Sequence, residues 1–134
     1  MEKRFELNAS SEVLSPFRKE LRQILSHGGW EKRTAEEILL AVDEALTNII
    51  RHAYHGKPGK MTVSVSATGD KIEIVLEDQG VKFDPTQVPS PELPRHKPGG
   101  LGVHFIRTIM DKMIYDDQDP AGNRLRLIKH KIKI

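Results

Sequence analysis

The chain has 134 residues, 21 of them basic and 19 acidic, and it contains no cysteine. That length fits one domain, 1–134, able to bury roughly two-thirds of its unfolded surface without a covalent staple. The missing cysteines exclude disulfides, cysteine-ligated zinc and a thiol nucleophile.

No apolar run approaches the ~20 residues of a membrane span, and Met1-Glu2-Lys3-Arg4 leads into no apolar signal core. The pI of 8.9 arises from a nearly balanced set of charges, formally +2, and not from the clustered basic stripe that nucleic acid favours. A soluble cytoplasmic protein with no membrane or nucleic-acid partner is expected.

In chain order, Phe5 and Leu7 alternate with charged residues over 3–7, a short strand. Ser10 or Ser11 caps a helix beginning at Glu12, with Val13, Leu14, Phe17, Leu21, Ile24 and Leu25 at helical spacing. Arg18, Lys19 and Arg22 fall on its polar side, and His27-Gly28-Gly29 stops it. Thr34-Ala35-Glu36-Glu37 then has the form of a capping box opening a second helix. Its buried stripe is Ile38, Val42, Leu46, Ile49 and Ala53, and it ends near Tyr54, before Gly56, Pro58 and Gly59. On the other flank Glu44 and Asn48 lie one turn apart, so the helix offers an acid and an amide together.

Met61, Val63, Val65 and Ala67, then Ile72, Ile74 and Leu76, alternate with polar residues around Thr68-Gly69-Asp70, which predicts a β-hairpin with one buried face. Five of the eight prolines fall within 85–98 and forbid helix and sheet there, so a long lid-like loop over about 84–99 is expected. Gly99-Gly100-Leu101-Gly102 opens a third helix carrying Val103, Phe105, Ile106, Ile109 and Met110. Residues 113–115 and 125–134 close the chain as strands turned at Asp119-Pro120-Ala121-Gly122. The basic residues of the last strand, Arg124, Arg126, Lys129, Lys131 and Lys133, read as a solvated strand face. The order β, α, α, β, β, loop, α, β, β predicts an α+β two-layer sandwich, a mixed and mostly antiparallel sheet covered on one face by helices.

Three stretches carry chemistry: the helix face with Glu44 and Asn48, the strand end Glu77-Asp78-Gln79-Gly80, and Gly99-Gly100-Leu101-Gly102. Taken singly, each has a plain explanation as a solvated face, a turn or a hinge. Their occurrence together, in this order and with a proline-rich loop between the second and third, points to one site.

These stretches resemble the ATP-binding domain of the GHKL superfamily, with the Bergerat fold. The closest resemblance is to the anti-sigma-factor serine kinases, the RsbW and SpoIIAB group, and next to the RsbT-like switch kinases. "EALTNIIRHAYHG" resembles that group's N box, "EDQGVKFDP" its first glycine box and "PGGLGVHFIRTIMD" its second, with "GNRLRLIKH" in place of the closing Gly-Thr segment.

The resemblance implies ATP or ADP and Mg²⁺ as cofactors, with Asn48 coordinating Mg²⁺ and Glu44 acting as general base on a serine hydroxyl. It implies that Asp78 accepts from the adenine amino group, that Gly80 admits the base, and that Gly100, Leu101 and Gly102 bind phosphate through backbone N–H groups. Arg51 and His52 either reach phosphate or the lid or have surface roles. Two departures stand out: Lys82 occupies the second glycine position of the wider superfamily, and Asn123 replaces a threonine while keeping an amide to direct toward the base. Arg18 falls near a family position that faces substrate, or is simply solvated.

The function implied is a serine/threonine protein kinase acting on a STAS-type antagonist, with partner switching to a sigma factor and a homodimer as the assembly. A non-catalytic, nucleotide-gated binding module is the alternative.

Overall fold

The computed structural model describes residues 1–89, 101–116 and 121–131, apart from the side chain of Leu101. The elements are β1 (Glu2–Asn8), α1 (Leu14–His27), α2 (Lys32–Asn48), β2 (Lys60–Ala67), β3 (Lys71–Asp78), α3 (Leu101–Ile109), β4 (Lys112–Asp116) and β5 (Asn123–His130). They form a five-stranded sheet in the order β1-β2-β3-β5-β4 with the helices packed on one face, the α+β sandwich expected.

Every strand pairing is antiparallel, so the mixed component of the expected sheet is absent among the described residues. The reason is topological. The connection from β3 through α3 brings β4 back in the direction of β3, but the β4–β5 hairpin folds β5 between them.

The period-two pattern decides which face is buried. Met61, Val63 and Val65 of β2, Ile72, Ile74 and Leu76 of β3, and Leu125 and Leu127 of β5 all point under the helices. Phe17, Leu21 and Leu25 of α1 and Ile38, Val42, Ala45 and Leu46 of α2 meet them, and Phe5 of β1 packs edge-on against Phe17 at 5.1 Å. Ile49 from the predicted stripe is only half-buried.

The open face carries polar side chains, and two basic residues of β5 are paired there: Arg126 meets Glu73 at 2.7 Å, and Arg124 meets Asp116 at 3.6 Å and Glu77 at 3.9 Å. Lys129, expected on that solvated face, instead lies on the helix side opposite Ile72, where it donates to Ile109 O at 2.7 Å and meets Asp111 at 3.8 Å. No helix among the described residues is long and apolar enough to cross a membrane.

Two helix boundaries differ from expectation. The first helix opens with a 3-10 turn (Ser11–Val13), where Ser10 Oγ accepts from the Glu12 N–H at 3.3 Å, and becomes α-helical at Leu14. The capping box does not form. α2 begins at Lys32, with Glu31 as an N-cap that makes no side-chain cap bond, so Thr34 already lies inside the first turn. Burial of Trp30 explains this: its N–H donates to Leu25 O at 3.1 Å, and seating its ring in the core starts the helix immediately afterwards.

At its far end α2 runs into a π-helical turn (Ile49–Ala53) and then reverses through His55 and Gly56, both left-handed. Tyr54 secures this reversal, because its hydroxyl donates to Lys60 O at 2.6 Å and accepts from the Gln79 N–H at 2.9 Å. One phenol therefore ties the end of the helix to the start of β2 and the residue after β3. Tyr54→Phe removes both bonds with little change of shape. We expect a loss of about 1–3 kcal/mol, read as a lower urea midpoint at unchanged m-value.

Candidate functional site

A small cleft lies between the end of α2 and the ends of β3, β4 and β5. Ala45, Asn48, Ile49 and Ala53 line it from the helix side, and Leu76, Asp78, Tyr115, Asn123 and Leu125 from the sheet, with Phe83 and Pro85 as a third wall. The walls are mostly apolar with few polar groups, a composition suited to a flat ring that must be oriented.

Asp78 is the last residue of β3, directly opposite Asn123, the first of β5. It is only 3% exposed. Its Oδ1 accepts from Asn123 Nδ2 at 2.8 Å and from the Gly80 N–H at 2.9 Å. Both donors converge on one oxygen, and Oδ2 receives neither. Burial raises the Asp78 pKa above the ordinary carboxylate value, against the opposing pull of the Asn123 and Gly80 hydrogen bonds and the Lys82 charge.

Asn123 uses its whole amide within the protein. Its Nδ2 also donates to Val81 O at 2.9 Å, while its Oδ1 accepts from the Phe83 N–H at 2.8 Å and the Tyr115 hydroxyl at 2.5 Å. With every donor and acceptor occupied, the amide aligns Asp78 and the turn after it.

Two glycines make this corner possible. Gly122 has φ +78°, and a Cβ there would land on the backbone carbonyl of Asp78. A Cβ on Gly80 would lie 2.5 Å from Ala53 O, the atom that accepts from the Val81 N–H at 2.7 Å. The strand end is thus docked on the π-helical turn, whose wider winding carries Ala53 into the cleft wall.

At the helix side Asn48 Nδ2 is buried without a hydrogen-bond partner. A buried amide N–H without a partner is costly, and it leaves that donor available to an oxygen from outside the protein. One turn earlier, Glu44 lies against the start of α3: a Cβ on Gly102 would sit on Glu44 Oε2. Arg18 is ion-paired with Asp43 at 2.7 Å, joining α1 to α2 beside Glu44.

His52 is exposed at the cleft mouth and stacks on Phe83 at 4.5 Å between centroids. Its pKa is lowered, first by partial burial and then by the charges of Arg51 and His55, which favours the neutral ring. Arg51 is exposed.

Of the predicted residues, Asn48, Asp78 and Asn123 line the cleft, Gly80 packs against its Ala53 wall, and Glu44 and Gly102 lie against each other one helical turn from Asn48. Gly100 lies outside the described residues, as does the loop over 90–99, and only the backbone of Leu101 is described. Sequence reading missed Phe83, Pro85 and Tyr115 as cleft-lining residues, and Arg107 behind them. Phe83, Pro85 and Arg107 fall inside the quoted glycine-box segments, which assign them no role, and Tyr115 reads as an ordinary strand residue.

The architecture is the α+β fold of the GHKL class. The chain belongs to the histidine kinase-like ATPase domain family, whose sequence profile matches residues 7–129. It is 33% identical over 115 residues to the serine/threonine-protein kinase BtrW of Bordetella bronchiseptica, covering 82% of this chain and 80% of that protein. It is 34% identical over 124 residues to the serine-protein kinase RsbW of Listeria innocua, covering 84% and 78%. The crystal structure of the RsbU and RsbW domains of a Mycobacterium tuberculosis protein superposes with a TM-score of 0.68 at 16% identity, over 96% of this chain and 32% of that one. The protein is accordingly an enzyme of the serine/threonine protein kinase type.

The raised pKa of Asp78 has a signed consequence. Between the ordinary carboxylate value and the raised one the folded state holds the extra proton, so stability falls as pH rises through that window. Asp78→Asn keeps an oxygen for both donors and removes the buried charge. At pH 7 we expect a urea midpoint no lower than that of the parent protein, an advantage that shrinks as pH is lowered through the same window.

Proposed function

We propose that the protein binds ATP with Mg²⁺, phosphorylates a serine on a small STAS-type antagonist protein, and binds a sigma factor when free of that antagonist. In this reading residues 1–134 act as one nucleotide-binding domain with a lid over about 84–99, working in the cytoplasm as a homodimer. The observation that carries it is the pairing of the Glu44 carboxylate, set against Gly102 at the start of α3, with Asn48, whose buried Nδ2 has no protein partner, one turn away.

The residues present fit the cofactors. The Asn48 Oδ1 is the kind of oxygen ligand a small hard cation takes, and the unpartnered Nδ2 hydrogens beside it can donate to a phosphate oxygen. Bound there, Mg²⁺ would neutralise charge on the transferring phosphoryl group. The apolar cleft with Asp78 at its end suits adenine, whose exocyclic amino group donates to a carboxylate oxygen. Glu44 takes the proton of the attacking serine hydroxyl as its oxygen bonds to the γ-phosphorus, and the bond from that phosphorus to the bridging oxygen of ADP breaks. A carboxylate one helical turn from the cation ligand is well positioned for that proton, and phosphoryl transfer depends mainly on positioning and charge stabilisation.

Incubation with labelled ATP, Mg²⁺ and the candidate antagonist should yield serine phosphate. Glu44→Ala should reduce that rate by about 10²–10⁴-fold while leaving the Kd for ATP nearly unchanged. Asn48→Ala should instead remove the Mg²⁺ dependence of nucleotide binding. Phosphate transfer by Glu44→Ala at the parent rate sinks the catalytic assignment, and nucleotide binding without transfer to any candidate partner would select the gated binding module.

A further inference from the structure

The third wall of the cleft hangs from one guanidinium. Arg107, on α3, donates through Nη2 to Thr86 O at 2.9 Å, to Pro85 O at 3.2 Å and to Val88 O. Pro85 and Thr86 belong to a 3-10 turn (Pro85–Gln87) that Val88 caps, and Pro85 is buried and lines the cleft. The turn is held from its other side by Asp84, whose Oδ1 accepts from the Thr86 N–H at 2.9 Å and from the Thr86 hydroxyl at 2.5 Å. Just upstream, the Phe83 N–H is anchored on Asn123 Oδ1.

Three carbonyls share the two hydrogens of one cationic nitrogen, and hydrogen bonds to a charged donor are roughly twice as strong as neutral ones, so a neutral side chain would hold this turn more weakly. The same helix begins at Leu101 and Gly102, against Glu44. Five residues separate Gly102 from Arg107, about one and a half turns of helix. α3 therefore touches the catalytic end of the cleft with its first turn and holds the wall at the other end with its second.

We propose that Arg107 is a positioning residue for the nucleotide base. It is not among the residues that line the cleft, but it fixes the Phe83–Pro85 wall against α3 and so sets how closely that wall fits the ring. This rests on the nucleotide-binding reading above and names a determinant of that same site.

The test compares three probes by calorimetry: ADP, adenosine, and inorganic tripolyphosphate, which has no base. For Arg107→Gln we expect the Kd for ADP and for adenosine to rise by about tenfold, with tripolyphosphate binding within about twofold of the parent protein. Arg107→Lys, which keeps a cation with three donors, should recover part of the loss. Asp84→Ala loosens the same turn without altering α3 and should give the same base-selective pattern. It also decides the matter if Arg107→Gln does not fold.

If the parent protein binds no ADP, the nucleotide reading fails and this inference with it. If the parent binds ADP and the folded variants bind ADP and adenosine as it does, or lose tripolyphosphate equally, the nucleotide reading stands and the role of Arg107 is overturned.

Discussion

Most of the site depends on a carboxylate kept where a carboxylate is expensive. Asp78 is nearly inaccessible to water, and burial pushes its pKa up. Its position is set by the β3–β5 register, which makes Asn123 its direct cross-strand neighbour, and by the amide that Asn123 directs at its Oδ1. Both amide hydrogens and both carbonyl lone-pair directions of Asn123 are occupied, so one side chain aligns Asp78, Val81, Phe83 and Tyr115 together. A fully satisfied polar network is rigid, whereas a half-satisfied one would be worse than an apolar core.

The opposite wall shows the complementary condition. Asn48 Nδ2 is buried and unsatisfied, and Glu44 lies against the opening turn of α3. One end of the cleft is thus held by bonds the protein completes for itself, and the other keeps polar capacity in reserve. The π-helical turn after Asn48 joins the two, since Ala53 accepts the bond that docks the segment after β3 onto the helix. Tyr54 reinforces that joint from outside the cleft. Stability and function are coupled here because the residues that close the core also shape the wall.

Much of this was legible in the sequence. The period-two runs gave the hairpin its buried face, the helical stripes marked α1 and α2, and the glycine cluster marked the start of α3. Those patterns record burial, which acts on every residue of an element, so they survive local exceptions. The boundary of α2 did not follow its local signal: Thr34 and Glu37 have the capping-box form, but burying Trp30 started the helix three residues earlier. A tertiary contact overrode a cap worth about 1 kcal/mol.

The amino-acid sequence by itself determined the α+β class, the segments that carry chemistry, and the presence of an acid and an amide one helical turn apart. Those are properties of residue type and short-range spacing. Only the tertiary structure decided that β5 lies between β3 and β4, that the Asn123 amide is spent on the protein, and that Arg107 holds the wall made by Pro85 and its neighbours. Each of these depends on atoms that are near in space and about 20 to 45 residues apart along the chain. No local pattern encodes such a meeting, because it exists only once the hydrophobic faces have chosen their partners.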